Sequence, residues 1–283
     1  MAIQQRNYSN LNRRLKRGPA GLPAGPASSE RSRLGVRTLT VSVVIPTKNE
    51  ARNIGWVLER IDPLVDEVII VDGLSADGTV DVARHVRPDV IVVHHPVRGK
   101  GEAVRAGLTR ATGDLVVMLD ADGSMDPGEV RRFVEELARG HDFVKGSRFL
   151  PGGGTSDMTW LRSLGNSVLV RLTNLLLRTS YSELCYGYMA FRRSRLQELR
   201  LAASGFEIET ELVVKAQRAG LAITEVPSFE SARRYGTSNL NTFRDGWRVL
   251  CTLLRERFAA QTPVRVVEQP REGWRRRRAL SGN

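Results

Sequence analysis

The amino-acid sequence predicts an α/β fold with a mostly parallel central sheet and helices on both of its faces. Between residues 41 and 120, short runs rich in Val, Ile and Leu alternate with longer segments of helical periodicity. Strands that are apolar throughout are typical of parallel sheets covered on both faces. Each run ends in polar residues, and ligands of such sheets bind beyond the carboxyl ends of the strands. The fold class therefore also predicts where a binding site lies.

Four strand–helix units account for the first half of the chain. Strands are predicted at 41–46, 67–72, 89–94 and 114–120, because each run is short and apolar. Helices follow at about 49–60, 78–87 and 100–111, and a fourth begins at Pro127, a residue suited to the first helical position. The second half extends the same sheet, with helices at 160–178, 207–219 and 241–258 and strands at 188–191 and 222–226.

The composition favours one large domain without a cysteine- or histidine-based site. The chain has 283 residues, 41% of them hydrophobic, which is enough for a substantial core. No run approaches the roughly 20 apolar residues that cross a bilayer, and no secretory leader is visible, so we expect a cytoplasmic protein. Two cysteines and four histidines argue against a disulfide framework or a zinc site. Metal or cofactor binding is therefore expected from carboxylates.

The net charge of +12 lies mainly in the two ends of the chain. Residues 1–37 contain eight Lys or Arg and one acidic residue, and residues 262–283 contain six and two. We expect a disordered basic arm at 1–37, a folded domain at 38–261 and a basic tail at 262–283. Such tails either aid solubility or bind an anionic membrane surface. No nucleic-acid-binding motif accompanies the charge, which argues against a nucleic-acid partner.

Two carboxylates follow the fourth predicted strand, in the segment Asp120-Ala121-Asp122. An exposed turn would tolerate them. Their oxygens also suit Mg²⁺ or Mn²⁺, which proteins usually bind through one or two carboxylates together with substrate phosphates. The position directly after an apolar strand favours the metal-binding interpretation.

Two further loops indicate nucleotide binding. The segment 72–79 has the residues of a turn that ends in a helix cap, and Asp72 within it can accept hydrogen bonds from a base or a ribose. The segment 98–101, Arg-Gly-Lys-Gly, opens a helix. Its glycines allow close approach of the backbone, and a cation beside a helix N-terminus favours phosphate.

Six motifs occur in an order that is typical of one protein family. They are residues 43–50, 71–79, 99–101, 119–122, 146–148 and 233–238. In this arrangement the chain resembles the family 2 glycosyltransferases, and within them the dolichyl- or polyprenyl-phosphate mannose or glucose synthase group. The similarity covers about residues 41–255. It implies the GT-A nucleotide-diphospho-sugar transferase fold and a hexosyltransferase that uses a GDP- or UDP-sugar.

The resemblance also implies roles for individual residues. Those that match the family's nucleotide pocket are Pro46, Thr47, Asn49, Glu50 and Asp72, while Lys100 matches a residue on the nucleotide side. Asp120, Ala121 and Asp122 match the segment that serves nucleotide and metal. Ser124 stands where this group often has a metal-binding Gln, and is a poorer ligand. Gly73-Leu74 follow Asp72, where the family motif usually reads Asp-Asp-Gly-Ser.

The acceptor side contains both arginines and carboxylates. Arg148, Arg162 and Arg233 lie where the resembled family binds phosphate, and arginine can hold phosphate oxygens through two N–H groups. A cluster of three glutamates, Glu207, Glu209 and Glu211, offers a possible base. Glu207 and Glu211 share a helix face and Glu209 points elsewhere. The first turn of a solvated helix would also favour such acids.

These observations lead to one favoured hypothesis and two alternatives. The favoured one is a metal-dependent inverting transferase that moves a hexose to polyprenyl phosphate at a membrane surface, with Asp122 and Arg148 in catalysis. The first alternative is a soluble enzyme that acts on a hydroxyl group, with a carboxylate of the glutamate cluster as base. The second is a sugar-nucleotide-binding module without catalysis. Helices 160–178 and 241–258 are amphipathic, and either pack on the core or lie in a membrane interface.

Overall fold

A seven-stranded sheet forms the centre of the computed structural model, which describes residues 39–96, 99–237 and 241–259. Its strands are Val41–Thr47 (β1), Glu67–Asp72 (β2), Ile91–His94 (β3), Leu115–Met118 (β4), Phe143–Ser147 (β5), Met189–Arg192 (β7) and Ile223–Pro227 (β8). Two short strands, Gly154–Thr155 (β6) and Phe229–Glu230 (β9), pair with each other apart from it.

Helices connect these strands. They are Ala51–Glu59 (α1), Thr79–Val86 (α2), Lys100–Arg110 (α3), Val130–Ala138 (α4), Trp160–Leu177 (α5), Arg193–Leu199 (α6), Ile208–Arg218 (α7) and Thr242–Phe258 (α8). The predicted helix at Pro127 begins as a 3-10 turn, Pro127–Glu129, and becomes α-helical at Val130. All other predicted elements are present within a few residues of the expected bounds.

The strand order is β3-β2-β1-β4-β7-β5-β8. Neighbouring strands are parallel except at β7, which runs antiparallel to both β4 and β5. One apolar core lies between the sheet and helices α1, α2 and α4, and a second lies between the opposite face and α3, α5, α6, α7 and α8. The mostly parallel α/β fold is confirmed, and β1, β2 and β4 end at one shared edge of the sheet.

Strand β5, helix α6 and the pair β6–β9 were not predicted from the sequence. Strand β5 has a lysine at its centre, which interrupts the apolar pattern. The structure buries Lys145 completely and places its Nζ 2.8 Å from Glu225 Oε1. A buried ion pair with a residue 80 positions away leaves no local signal in the sequence.

The described residues from Thr40 onward belong to one compact unit. The expected arm at 1–37 and tail at 262–283 lie outside the described residues, so the boundaries of the domain remain a prediction. Among the helices that the structure describes, none is both long and apolar enough to cross a membrane.

Helix α3 approaches the sheet closely, and this approach positions the start of the helix at the functional edge. A Cβ atom on Gly107 would lie 2.3 Å from Val44 Cγ1 and 2.8 Å from Val71 Cγ2. At the N-terminus of the helix, a Cβ on Gly101 would lie 2.4 Å from the carbonyl oxygen of Ala203. The glycines of α3 therefore allow direct contact with the sheet and with the loop before α7.

We predict that Gly107→Ala destabilises the protein by about 1–3 kcal/mol, because the buried valines cannot move away from the added methyl group. Gly55→Ala is the matched control in helix α1, where the nearest side-chain atoms would be 3.6 Å away. That change should be neutral or stabilise by up to about 1 kcal/mol, the helix preference of Ala over Gly. Urea unfolding of both variants measures the difference. Equal stabilities would show that α3 does not depend on close contact.

Candidate active site

A cavity of about 250 Å³ opens beyond the carboxyl end of β4, where the fold class predicts a ligand. Both halves of the chain contribute to its wall. Its charged lining residues are Lys100, Asp120, Asp122, Arg148, Asp157, Arg162, Glu209, Glu230, Arg233 and Asp245. The cavity thus joins the predicted metal-binding segment to all three of the predicted phosphate arginines and to one of the three glutamates.

Lys100, the first residue of α3, lies between two carboxylates. Its Nζ is 2.7 Å from Asp120 Oδ1 and 2.8 Å from Glu209 Oε1. Burial opposes the charge on the lysine, but the two carboxylates outweigh burial and raise the pKa of Lys100 above its ordinary range. Burial raises the pKa of Glu209 and Lys100 lowers it, while the charge of Asp120 adds to the increase. Lys100 is therefore a fixed positive charge at the cavity wall.

Arg233 makes the corresponding contact with Asp122. Its Nη2 lies 2.9 Å from Asp122 Oδ2, and its Nη1 lies 2.8 Å from Glu50 Oε1. The other carboxylate oxygen of Asp122 accepts a hydrogen bond from the backbone N–H of Ser124 at 2.9 Å. Ala121, between the two aspartates, is buried in the core. The segment is thereby fixed with both carboxylates at the cavity.

The loop that carries Arg233 is anchored to helix α1. The guanidinium of Arg234 lies 4.7 Å from the centre of the Trp56 ring, and that of Arg52 lies 4.0 Å from the Tyr235 ring. The Asn53 side chain donates to the backbone carbonyl of Tyr235 at 3.1 Å. The two residues that directly follow Arg233 are thus held on helix α1, and Arg233 itself is directed at Asp122.

The donor set of the cavity fits a hard divalent cation that binds together with a phosphate. Asp120 and Asp122 offer carboxylate oxygens, and Ser124 lines the same cavity. Among the described residues, no group of three or more His, Cys, Asp or Glu side chains is placed to hold a metal ion. Mg²⁺ and ions like it commonly bind through one or two carboxylates and complete their shell with water and substrate phosphates. The residues present therefore suit Mg²⁺ or Mn²⁺ in the company of a diphosphate.

The residues predicted for the nucleotide pocket lie at the ends of β1 and β2. Thr47 and Asp72 are paired in the register of the two strands. The carboxylate of Asp72 accepts from the backbone N–H of Ser75 at 3.1 Å, and Asn49 Oδ1 accepts from that of Ala76 at 2.9 Å. Pro46 precedes Thr47 in β1. These side chains shape the 73–78 loop, and Glu50 connects the group to the cavity through Arg233.

Comparison with known proteins agrees with this geometry. The family model described as "Glycosyl transferase family 2" matches residues 42–200. The chain belongs to this family. The resemblance predicted from the six motifs is confirmed, and the protein is a glycosyltransferase enzyme.

Two curated relatives and one solved structure illustrate the similarity. "Glycosyltransferase AglJ" of Haloferax volcanii is 33% identical over 221 residues, which cover 76% of this chain and 71% of that protein. The "Polyprenol monophosphomannose synthase" of Mycolicibacterium smegmatis is 31% identical over 212 residues, which cover 70% of this chain and 80% of that protein. Glucosyl-3-phosphoglycerate synthase from Mycobacterium tuberculosis, solved with Mn²⁺, UDP and glucosyl-3-phosphoglycerate, is 26% identical. It superposes with a TM-score of 0.63 over 86% of this chain and 88% of that one.

Arg148 of this glycosyltransferase lies on the cavity wall, but most of its hydrogen-bonding capacity is used within the protein. Its Nε lies 2.8 Å from Glu183 Oε2, its Nη1 lies 2.9 Å from Glu230 Oε2, and its Nη2 donates to the carbonyl of Cys185. Burial opposes its charge, and the two glutamates outweigh burial and raise the pKa of Arg148. The arginine is a fixed positive charge, held by two carboxylates that the sequence analysis did not identify.

The three glutamates of the acidic cluster have different environments, and Glu209 alone among them lines the cavity. The carboxylate of Glu211 is fully buried, where it accepts from the backbone N–H groups of Ala202 and Ala203 and pairs with Lys215 at 2.8 Å. Glu207 accepts from the backbone N–H of Gly205. The geometry gives Glu207 and Glu211 a role in holding the 202–205 loop, since both carboxylates are directed there.

Other residues of the site were missed by the sequence analysis. Asn166 on α5 lines the cavity, is 7% exposed, and has a side-chain oxygen without a partner among the described residues. Its helix face also carries Arg162 and Thr173, so no apolar pattern in the sequence singles it out. Cys185 also lines the cavity, and burial together with Glu209 and Glu183 raises its pKa to about 12. A thiol with that pKa stays protonated at neutral pH and is a poor nucleophile.

We predict that Glu211→Gln lowers the free energy of unfolding by about 2–4 kcal/mol, because a buried carboxylate loses its charge beside Lys215 and two N–H donors. Glu209→Gln is the matched control, and should cost less because Lys100 keeps Asp120 as a partner. Urea unfolding gives the stabilities, and the KM for the donor is measured on folded protein. An effect of Glu211→Gln on KM with unchanged stability would contradict the structural role.

Proposed function

We propose that this glycosyltransferase moves a hexose from a nucleoside-diphosphate sugar to polyprenyl phosphate at a membrane surface, with Mg²⁺ or Mn²⁺ as cofactor. The observation that carries the proposal is the state of Glu209, the carboxylate of the acidic cluster that lines the cavity. It pairs with Lys100 at 2.8 Å, so its carboxylate is engaged by a cation and is not free to take a proton from an acceptor hydroxyl. A phosphate acceptor is already anionic and needs no base, whereas a hydroxyl acceptor does.

The donor side follows from the charges at the carboxyl edge of the sheet. Asp120 and Asp122 would hold the divalent cation, which when bound neutralises charge on the diphosphate leaving group. Lys100 and Arg233, now paired with these aspartates, are positioned to turn toward the phosphates of the donor. The edge formed by Thr47, Asp72 and the 73–78 loop would then receive the nucleoside.

The transfer itself is a single displacement at the anomeric carbon. The bond from this carbon to the diphosphate oxygen breaks, and its electron pair leaves with the nucleoside diphosphate. An oxygen of the acceptor phosphate forms the new bond from the opposite face, so the configuration inverts. No proton has to be removed from the acceptor. Arg148 and Arg162 lie on the same wall of the cavity, and Arg148 is held there by Glu183 and Glu230.

The relatives support this acceptor class. One of them bears the name polyprenol monophosphomannose synthase, and the chain covers 80% of its length. A second candidate function is transfer to a hydroxyl of a small phosphorylated molecule, as the name glucosyl-3-phosphoglycerate synthase indicates for the structural relative. That alternative would require Glu209 to leave Lys100 and act as a base.

The first test is donor binding. A ligand of the native state raises apparent stability by RT ln(1 + [L]/Kd), so the correct nucleotide should raise the melting temperature, and more so with Mn²⁺. Asp122→Asn should remove the metal-dependent part of the increase. If no nucleotide changes the melting temperature with or without metal, the proposed donor site is contradicted. A nucleotide that raises the melting temperature without any transfer would favour the sugar-nucleotide-binding module without catalysis.

The acceptor is tested with a short-chain polyprenyl phosphate and with 3-phosphoglycerate under identical conditions. We expect transfer to the former, and we expect Glu209→Gln to reduce turnover by less than the factor of about 10²–10⁴ that loss of a general base causes. Asp122→Asn should abolish turnover in both cases. Transfer to 3-phosphoglycerate alone, with Glu209→Gln inactive, would establish the hydroxyl acceptor instead.

A further inference from the structure

Helices α5 and α8 each expose large apolar side chains in addition to the faces that they bury. On α5, Trp160 and Leu175 are each 77% exposed and Leu164 is 55% exposed. On α8, Phe243 is 78% exposed, Trp247 66% and Phe258 73%. These six side chains define what we call the α5–α8 face. Exposed aromatic groups at this density mark an interaction surface, because a soluble surface rarely keeps large contiguous apolar patches.

The exposed residues form stripes along the two helices. Phe243, Trp247 and Phe258 are separated by four and eleven positions, and so recur on one side of α8. Val249 and Leu253, on another side of the helix, are buried in or beside the core. Both helices are therefore apolar on two faces, and the outward face has no partner among the described residues.

The two helices lie side by side and run in the same direction. Residues from their N-terminal halves line the cavity together, including Gly165 and Asn166 of α5 and Thr242 and Gly246 of α8. Near their C-terminal ends, the Nε of Arg257 donates to the carbonyl of Leu176 at 2.9 Å. The α5–α8 face is thus carried by the same two helices that line the active-site cavity.

The exposed charges of the two helices have one sign. The exposed charged residues within the two helices are all arginines: Arg171, Arg244, Arg248, Arg255 and Arg257. The acidic residues of α8, Asp245 and Glu256, are 3% and 7% exposed and pair with neighbouring cations. Arg244 and Arg248 directly follow Phe243 and Trp247. The basic side chains therefore flank the apolar stripe.

We infer that the α5–α8 face docks on an anionic lipid bilayer, with its aromatic side chains in the interfacial layer and its arginines at the lipid phosphates. Aromatic and basic residues in this combination are favoured at membrane interfaces. A second copy of the chain fits less well, because a symmetric contact would place arginines against arginines with no exposed carboxylate on either helix. Docking itself does not depend on the proposed function. Only its role does, which is to bring the cavity to a lipid-linked phosphate.

Binding of the full chain to vesicles tests the inference. We compare sedimentation with phosphatidylglycerol vesicles and with phosphatidylcholine vesicles, and expect binding to the former. The double variant Phe243→Glu/Trp247→Glu should weaken binding by more than about tenfold, because two aromatic side chains no longer enter the interface. The control Leu74→Glu/Phe149→Glu makes the same charge change at exposed apolar residues outside the two helices, and should bind as the wild type does. Equal losses in both double variants would overturn the inference.

Tryptophan quenching separates the face from the basic ends of the chain. Lipids brominated in the acyl chains quench only tryptophans that enter the bilayer. The variant Trp160→Phe/Trp247→Phe keeps an aromatic surface and should lose most of the quenching, while Trp56→Phe should keep it, since Trp56 packs against Arg60 and Arg234. Quenching that persists in the first variant would assign bilayer contact to another part of the chain and contradict the inference.

The remaining outcomes distinguish this inference from the proposed function and from self-association. The Phe243→Glu/Trp247→Glu variant should still transfer sugar to a short, water-soluble polyprenyl phosphate. Vesicle binding through the face without any transfer to a lipid phosphate would leave docking in place and contradict the proposed function. Transfer to a lipid phosphate without vesicle binding would support the proposed function and contradict docking through the face. A concentration-dependent dimer of the wild type that the same variant abolishes, seen by sedimentation without lipid, would assign the face to a second copy.

Discussion

An excess of carboxylates at the carboxyl edge of the sheet is the constraint on which the rest of the site depends. Four of them, Glu50, Asp120, Asp122 and Glu209, are opposed by two cations, Lys100 and Arg233. With all groups ionised, the cluster carries two uncompensated negative charges, which is the charge of one divalent cation. Burial raises the pKa of Glu209, and the negative charge of Asp120 adds to the increase. The fold brings these charges together, and a bound cation would neutralise the remaining negative charge.

Several contacts around this edge position the cations of the cluster. The glycines of α3 let the helix touch the sheet, and this contact places Lys100 between Asp120 and Glu209. Trp56 holds Arg234 and thereby the loop of Arg233. The two groups of predicted residues, the nucleotide edge of β1 and β2 and the charged cavity, meet at the ion pair between Arg233 and Glu50. One arginine in this way connects the proposed donor side of the site to the proposed acceptor side.

The sequence predicted the repeated β–α pattern and the Asp-x-Asp position because both depend on local periodicity and strand ends. It could not find the partners of Arg148, since Glu183 and Glu230 are 35 and 82 positions away. Nor could it separate Glu209 from Glu211. Helical spacing gives their relative directions, but the loop that captures Glu211 is defined only by tertiary packing. Buried polar pairs such as Lys145 with Glu225 remain invisible to any apolar pattern.

Binding of Mn²⁺, measured by electron paramagnetic resonance without any nucleotide, tests the charge balance most directly. Wild-type protein is compared with Arg233→Met, which frees Asp122 and Glu50 from their shared cation. The account predicts that this variant binds Mn²⁺ at least about tenfold more tightly than the wild type, because one positive charge is removed from beside the ligands. Equal or weaker binding by Arg233→Met would show that the carboxylates of this edge do not form the metal site.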